Sequence, residues 1–380
     1  MLYSKTGNFH HIPFDPNKFK TLDQCTLQPD DIYYHHHYDS IQKNIRIYDA
    51  VDSIHWEHLK ASPNVKLLHE NCGETFDENF AHDIAQLINI RGINPSQVYI
   101  LLMDAVHTQF LEQKLKELNI TGINIGEYNF LLNKIEIPTS YPVPSQTFSM
   151  LSRNYRAWRL RLYASLASKI LLDKFTYSFY NIHPYENTEF SQETMRRDLI
   201  DIGFGEINKT VSKWIDKIPY KLSATDNVLN KWGDVTYQTI LNAKFHVLVE
   251  THYDPLQWNS QTVYRRSFAP SSITEKTYKP IACARPFIVF STPYFLDDLR
   301  VLGYKTFSPF IDESYDTELD NEVRLNKIVA EIERIANLSD TEQSELLNNL
   351  SAVLDHNVKL LKKSRPKMGE AFSFVFDNVQ

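Results

Sequence analysis

Residues 271–280, Ser-Ser-Ile-Thr-Glu-Lys-Thr-Tyr-Lys-Pro, form the densest group of side chains that could bind a ligand. Lys276 can neutralise a phosphate, and Glu275 can accept hydrogen bonds from ribose hydroxyls. The apolar run at residues 286–290 lacks alternation, which is typical of a parallel strand covered on both faces. Because ligands of open α/β sheets bind at strand ends and helix N-termini, we predict a nucleotide diphosphate site here.

The same stretch also allows a purely structural interpretation. Ser272 and Glu275 have the S-x-x-E spacing of a capping box, in which both side chains only satisfy backbone N–H groups at a helix start. The local pattern by itself leaves both interpretations open.

A second group of cations follows an apolar segment that begins at Phe148. Arg153, Arg156 and Arg159 are spaced by three, so on a helix they fan over roughly a third of its circumference. Arginine grips phosphate oxygens in bidentate fashion, and few acidic residues stand nearby. We therefore favour a polyanion site over the alternative, a solvated helix face.

Composition restricts the function classes. The 380 residues suffice for two domains, and the formal net charge of -7 is unlike the basic footprint of a chain-wide nucleic-acid binder, although a local basic cleft is compatible with it. Glycine occurs only 10 times and no glycine-rich phosphate loop is present. Any phosphate must therefore be bound by side-chain cations.

The cysteines and the N-terminus indicate a cytoplasmic protein. Cys25, Cys72 and Cys283 are widely spaced, without a disulfide framework or zinc-ligand spacing. The first residues lack a signal-peptide core, and no run approaches the ~18 apolar residues of a membrane span. Three consecutive histidines at residues 35–37 would alternate faces on a strand, so at most two could meet one metal, and we predict no metal site.

The elements needed to position these groups alternate along the chain. In the first half we predict strands at residues 65–70, 98–104 and 122–125 and helices at 77–87 and 108–118. This alternation predicts a parallel sheet with crossover helices, hence an α/β fold. In the second half we predict strands at 243–250, 286–290 and 304–307 and closing helices at 318–337 and 340–363.

Three segments of the second half resemble the donor-binding signature of the α-1,3-fucosyltransferases. They are the strand 243–250 ending in Glu250, the Thr-Glu-Lys at 274–276 and the strand 286–290. The Arg-Asn-Tyr-Arg-Ala-Trp-Arg turn at 153–159 resembles the basic turn of such enzymes. The segments Gly-Tyr-Lys-Thr-Phe at 303–307 and Asp-Glu-Ser-Tyr-Asp at 312–316 resemble a set of virus and phage proteins most closely.

The resemblance, which covers about residues 148–320, implies a GT-B glycosyltransferase. Its fold would have two Rossmann-like domains, a central cleft and C-terminal packing helices. Its reaction would be inverting and metal-independent, with no cofactor besides the nucleotide-sugar co-substrate. The implied domains are 1–145 on the acceptor side, 146–345 for the nucleotide sugar, and 346–380 as a C-terminal helix and tail. Thr277-Tyr278 replaces the family's Leu-Trp, which leaves the donor sugar open.

The resemblance also implies roles for individual side chains. Lys276 and Arg159, supported by Arg153 and Arg156, would stabilise the departing pyrophosphate. Hydroxyl groups of the donor would be held by Glu250 and Glu275, and Thr274 would help to cap the helix that faces the phosphates.

An inverting enzyme also needs a general base, which in this layout comes from the first domain. Glu74, which follows a predicted strand, is our first candidate, then Glu70, then Asp104. Each is also a plausible strand-end or N-cap carboxylate.

Three functions remain open at this point. The acceptor could be a glycan or small molecule in a bacterial or virus-infected cell, or hydroxymethylated bases of phage DNA, with Arg265, Arg266 and Arg285 lining a local basic cleft. The third possibility is a non-catalytic nucleotide- or glycan-binding protein.

Overall fold

A computed structural model describes residues 2–4, 19–21, 27–28, 30–36, 47, 51–71, 78–182, 188–222, 234–254, 271 and 273–365. Structural statements below concern these residues. They divide into two compact units, one running up to Lys134 and including Ser364 and Arg365, the other running from Ile135 to Lys363.

The first unit is built on a parallel sheet. Its strand order is β2-β1-β3-β4-β5-β6, and each neighbouring pair is parallel. The strands are β1 Leu2–Ser4, β2 Phe19–Thr21, β3 Ile32–His36, β4 Lys66–Asn71, β5 Val98–Leu102 and β6 Asn124–Glu127. The described side chains of β4 and β5 are all buried, as expected for strands covered on both faces.

Helices connect these strands and supply the apolar layers. They are α1 Ser53–Ala61, α2 Glu78–Asn89, α3 Ala105–Glu117 and the short α4 Phe130–Asn133, with a 3₁₀ turn at Pro95–Gln97. Ile84 and Leu87 of α2 pack into one cluster with Leu111 and Leu115 of α3 and residues of the sheet. The predicted strand and helix alternation of this half is therefore confirmed.

The second unit has its own parallel sheet, with strand order β10-β9-β7-β8. Its strands are β7 Gln146–Asn154, β8 Phe175–Ile182, β9 Ala243–Val249 and β10 Phe287–Phe290. The chain leaves β7 toward β8 on one side and later adds β9 on the other side. The strand order thus reverses between β7 and β9, which is where open α/β sheets bind ligands.

Helices flank this second sheet and close the chain. They are α5 Ala157–Ser168, α6 Gln192–Asp201, α7 Lys209–Ile215, α8 Asp234–Leu241, α9 Glu275–Ala282, α10 Phe295–Val301, α11 Asn321–Ala336 and α12 Asp340–Lys363, with a 3₁₀ turn at Leu171–Lys174. The predicted packing role of the last two helices is confirmed by buried Ile328 and Ile332 of α11 and Leu350 of α12. The predicted α/β class with two parallel sheets is likewise confirmed.

One predicted strand is wrong. Residues 304–307 belong to neither described sheet. Instead, Asn357 of α12 satisfies the backbone of Lys305 on both sides, accepting from its N–H at 2.8 Å and donating to its carbonyl at 2.8 Å. A side-chain amide can offer a backbone the same donor and acceptor pair as a neighbouring strand, so the backbone of Lys305 has its partners without joining a ladder.

No helix among the described residues combines the length and apolar character that crossing a bilayer requires.

Candidate functional site

The candidate site lies where β7 and β9 end, at the reversal of strand order. Arg159 of α5 connects the two ends: its Nε and Nη2 donate to the carbonyl of Glu250 at 3.1 and 2.9 Å, and its Nη1 donates to the carbonyl of Asn154 at 2.9 Å. The side chain is buried. Arg159 therefore sets the spacing of the two strand ends on which the site is built.

Glu250, directly after β9, organises the start of α9. Its Oε1 accepts hydrogen bonds from the hydroxyls of Thr274 at 3.1 Å and Thr277 at 2.9 Å. Its Oε2 lies 3.0 Å from the same Thr274 hydroxyl and 3.5 Å from Nζ of Lys276. A carboxylate accepts about four such bonds, so this buried group is nearly saturated by protein donors.

Thr274 is the N-cap residue of α9. Its hydroxyl accepts from the backbone N–H of Lys276 at 3.3 Å and from Nζ of the same residue at 3.1 Å. Thr274 thus caps α9, as predicted. The alternative capping box involves Ser272, which lies outside the described residues.

Lys276 and Glu275 are the parts of this network that solvent can reach. Their side chains are 30% and 25% exposed, and Nζ lies 3.6 Å from Oε1 of Glu275. Burial lowers the pKa of Lys276, but the charges of Glu275 and Glu250 outweigh it and raise the pKa. Burial raises the pKa of Glu275, but Lys276 and Lys279 outweigh it and lower the pKa. Both groups are charged at neutral pH.

The three predicted arginines have different environments. Burial, and next the charge of Arg156, lower the pKa of Arg159 to about 10, so it stays protonated at neutral pH. Its guanidinium donates to backbone carbonyls rather than to the predicted phosphate. Arg156 is the half-buried N-cap residue of α5 and provides no side-chain cap. Arg153 is half-buried at the end of β7, and its Nε has no hydrogen-bond partner among the described residues.

Two residues of the site escaped the sequence interpretation. Thr277 supplies one of the donors to Glu250, and its position one turn into α9 was the available signal. His252 lies two residues beyond Glu250, and the nearby charges of Arg156, Arg159 and Lys276 act on its ring. Its position just past a strand-end carboxylate was its only signal.

Two of the three candidate bases, Glu70 and Asp104, are among the described residues, and Glu74 lies outside them. Glu70 is buried at the end region of β4 and accepts a hydrogen bond from the hydroxyl of Tyr34. Asp104 is the N-cap residue of α3, accepting from the backbone N–H groups of Val106 and His107, and it lies 2.7 Å from Nδ1 of His107. The structural roles foreseen for Glu70 and Asp104 are thus present.

The remaining predicted cations add little to a polyanion surface. Arg265 and Arg266 lie outside the described residues. Arg285 is buried, with Nη2 donating to the carbonyls of Pro142 at 3.0 Å and Leu241 at 2.8 Å. Within the described ranges no three His, Cys, Asp or Glu side chains are grouped as a metal site would require.

The geometry of the second unit suits a ligand that combines anionic and hydroxyl groups. Lys276, Arg156 and Arg153 supply positive charge at the N-termini of α5 and α9, where backbone dipoles add to it. Glu275 offers acceptors within reach of the same space. Arg159, Glu250 and Thr274 hold these groups in position.

No protein-family model and no curated protein matches the chain. Among solved structures, the chain is similar to the N-terminal domain of Candida albicans trehalose-6-phosphate phosphatase (9% identity, 93% of this chain and 70% of that chain, TM-score 0.48). It is also similar to an Escherichia coli structure described as trehalose-6-phosphate bound with UDP-2-fluoro glucose (11%, 93% and 74%, 0.44). A third is an alpha,alpha-trehalose-phosphate synthase from Burkholderia xenovorans (9%, 93% and 75%, 0.42).

Proposed function

We propose that the protein is a glycosyltransferase that moves a sugar from a nucleotide-diphosphate sugar to an acceptor hydroxyl. The observation that carries the proposal is the buried carboxylate of Glu250, which orders Thr274, Thr277 and Lys276 at the start of α9, beside the reversal of strand order. The motif resemblance to the α-1,3-fucosyltransferases supports the same conclusion. It is also the reason for proposing an inverting and metal-independent reaction.

The side chains divide into those that contact the donor and those that position them. Glu275 holds ribose or sugar hydroxyls, because its oxygens are more exposed than those of the nearly saturated Glu250. Lys276 binds the diphosphate, exchanging its contacts with two carboxylates for contacts with phosphate oxygens. Glu250, Thr274 and Arg159 position these two residues.

Charge at the diphosphate drives the chemical step. As the bond to the sugar breaks, negative charge grows on the departing pyrophosphate, and fixed cations that already surround it stabilise that charge. Lys276 supplies one such charge, and Arg156 and Arg153 supply two more beside it. Their placement before the reaction avoids a reorganisation cost during it.

Deprotonation of the acceptor is assigned to the first domain, residues 1–145. We propose Glu74 as the general base, with Glu70 and Asp104 as the other candidates, because all three follow or end strands of the first half of the chain. Donor binding belongs to residues 146–345. The compartment proposed is the cytoplasm.

Nucleotide binding without metal tests the donor site. In a thermal-shift panel of GDP, UDP, ADP, CMP and dTDP, we expect one nucleotide at ~100 Kd to stabilise the protein by ~2.7 kcal/mol. Lys276→Ala removes a charged hydrogen bond to phosphate, so we expect Kd to rise roughly 10- to 100-fold. Glu275→Gln should weaken binding of the ribose-containing ligand by a smaller factor.

Exposed positions of the same unit supply matched controls. Lys359→Ala and Glu345→Gln make the same chemical changes on α12, where both side chains are exposed, and should leave Kd unchanged. If no nucleotide raises the melting temperature of the wild-type protein, the glycosyltransferase proposal is wrong.

Two rival functions are separated by further measurements. A non-catalytic binding protein would be stabilised by the nucleotide but would not turn over any nucleotide sugar. A phage enzyme for hydroxymethylated DNA would retain such DNA in a salt-dependent manner. Arg285 is buried, so among the described residues it does not contribute to the basic cleft that this DNA-modifying function would need.

A further inference from the structure

Two buried side chains at the carboxyl ends of neighbouring strands carry polar atoms that have no hydrogen-bond partner among the described residues. Asn71 ends β4 and is 1% exposed, and both the oxygen and the nitrogen of its amide are of this kind. Asp104 follows β5 and is 6% exposed, and its Oδ2 is of this kind. Because buried polar groups are almost always paired in native proteins, these atoms indicate a bound ligand or ordered water.

The two side chains belong to the same face of the sheet. Asn71 is the direct strand partner of Leu102, so these two side chains point to the same face. Leu102 packs in one apolar cluster with Leu111 of α3, so α3 covers that face. Asp104 is the N-cap residue of α3, and its hydrogen bonds to this helix all go to Oδ1. Oδ2 and the Asn71 amide thus lie at the edge where open α/β sheets bind ligands.

Carboxylates end or follow three neighbouring strands at this edge. Glu70 lies near the end of β4, Asp104 follows β5, and the exposed Glu127 ends β6. Burial raises the pKa of Asp104, but the charge and hydrogen bonds of His107 outweigh it and lower the pKa, so Asp104 is ionised at neutral pH. These negative charges repel phosphate groups and other anions.

Neighbouring hydroxyl groups match these unpaired atoms. An amide offers donors and an acceptor, whereas an ionised carboxylate only accepts. Two hydroxyls of one sugar can accept from Nδ2 of Asn71 and donate to its Oδ1 and to Oδ2 of Asp104. An ammonium group has no acceptor for the amide nitrogen, and the described ranges contain no group of three potential metal ligands.

We propose that Asn71 and Asp104 form a subsite that binds neighbouring hydroxyl groups of a neutral sugar, and that this sugar is the acceptor. The acceptor role rests on the proposed function, whereas the subsite itself rests on the two side chains. The carboxylates of this edge disfavour sugar phosphates and nucleic acid as occupants.

Saturation-transfer difference NMR on the full chain tests the subsite. The probes are the methyl glycosides of glucose, galactose, mannose and fucose, compared with the 6-phosphates of glucose, galactose and mannose. The spectra are recorded with and without any nucleotide that raises the melting temperature. We expect saturation transfer to at least one neutral glycoside and none to the sugar phosphates.

Two variants remove the proposed contacts. Asn71→Leu keeps the branching of the side chain but removes both polar atoms, so we expect glycoside binding to be lost. Asp104→Asn can still cap α3 but replaces an accepting oxygen or its charge, and we expect Kd for the glycoside to rise roughly 10-fold or more. Asp201→Asn, at an exposed position, should leave glycoside binding unchanged.

The melting temperature of the ligand-free protein separates sugar binding from a structural role of the amide. Asn71→Leu removes an unpaired buried amide, so its melting temperature should stay at or above the wild-type value. Asn357→Leu is the matched control, because Asn357 is equally buried but has partners for both amide atoms. This control should lower the melting temperature.

The outcomes distinguish this inference from the proposed function. If a nucleotide binds but no neutral glycoside does, only this inference is wrong. If glycosides bind through Asn71 and no nucleotide binds, the proposed function is wrong and the subsite stands without its acceptor role. If neither binds, both are wrong.

Three further results would overturn the subsite. They are glycoside binding that persists in folded Asn71→Leu, sugar phosphates that bind as well as the glycosides, and a lowered melting temperature of Asn71→Leu with unchanged glycoside binding. The last result would assign the amide to ordered structural water. If Asn71→Leu does not fold, Asp104→Asn decides, and unchanged glycoside binding in that variant contradicts the proposal.

Discussion

The guanidinium of Arg159 lies where a phosphate contact was predicted, but it binds the protein backbone. The spacing of three arginines after an apolar strand predicts a phosphate grip, and Arg159 does lie at the ligand end of the sheet. There its guanidinium binds the carbonyls of Glu250 and Asn154 through three donors. The planar fork that suits phosphate also suits two strand-end carbonyls, and the residue holds the geometry that Lys276 and Glu275 depend on.

Substitution of Arg159 by lysine should therefore destabilise the ligand-free protein. Arg159→Lys keeps the charge but loses the fork, and hydrogen bonds to charged groups contribute about 1.5–3 kcal/mol each. We expect a loss of about 3 kcal/mol in the free energy of unfolding, measured by urea denaturation without nucleotide. Arg197→Lys, at an exposed position of α6, should change it little.

A different result would assign Arg159 to the ligand. If Arg159→Lys leaves the ligand-free stability at the wild-type value and only weakens nucleotide binding, the guanidinium is a phosphate contact and the positioning role is wrong.

At the scale of elements, a side chain of α12 supplies the backbone hydrogen bonds that a neighbouring strand would otherwise give to Lys305. Asn357 of α12 is buried and brackets Lys305 with two hydrogen bonds. The next segment, residues 312–316, is tied to β10 and α10: the hydroxyl of Tyr315 accepts from the N–H of Val289, and Asp316 accepts from the N–H of Leu296. The last helix thus supports the layer at Lys305, while residues 312–316 are held by β10 and α10.

Removal of the Asn357 amide should loosen this layer without touching the site. Asn357→Ala leaves the N–H and carbonyl of Lys305 without their side-chain partner, and each net hydrogen bond contributes about 1 kcal/mol. We expect the free energy of unfolding to fall by about 2 kcal/mol, as measured by urea denaturation.

Asn348→Ala is the matched control, because it removes an exposed amide from the same helix. Equal stability of the two variants would show that the contacts of Asn357 do not support the segment.

At the scale of the whole molecule, buried titratable groups change the pH dependence of stability in opposite directions. Burial, then the charge of Lys279, lowers the pKa of His246 to about 3, and the pKa of His252 is lowered to about 4. The unfolded chain protonates both below about pH 6.5, so both reduce stability as pH falls. Burial raises the pKa of Asp316 to about 7, so the folded state holds a proton that the unfolded chain loses above about pH 3.8.

Asp316 therefore reduces stability as pH rises from about 4 through 7, the opposite sign to the histidines. Asp316→Asn abolishes this ionisation while its amide oxygen can still accept from Leu296. Relative to wild type, we expect the variant to gain melting temperature between pH 5 and pH 8.

Differential scanning calorimetry at the two pH values measures the gain, and Asp201→Asn at an exposed position gives the baseline for the same substitution. A difference between variant and wild type that is the same at both pH values would contradict a raised pKa of Asp316.

The predicted parts of the fold are those with strong local signals. β10 was predicted because its apolar run lacks alternation, as burial on both faces allows, and β4, β5 and β9 were predicted as strands as well. Residues 304–307 were also predicted as a strand, but Asn357, 52 residues away from Lys305, supplies the backbone partners. The propensity of a segment to form a strand depends on neighbouring residues, so it cannot indicate a hydrogen-bond partner this distant in sequence.

The sequence by itself determined the α/β class, the strand ends that carry Glu250, and the Thr-Glu-Lys at the start of α9, because period and residue type express these locally. Only the tertiary structure decided which groups face a ligand. It engaged Glu250 and Arg159 with protein partners, left Glu275 and Lys276 accessible, and brought His252 under the charges of α5 and α9. Burial and pairing depend on elements that meet across the sheet, and these decide whether a charged group binds the protein or the ligand.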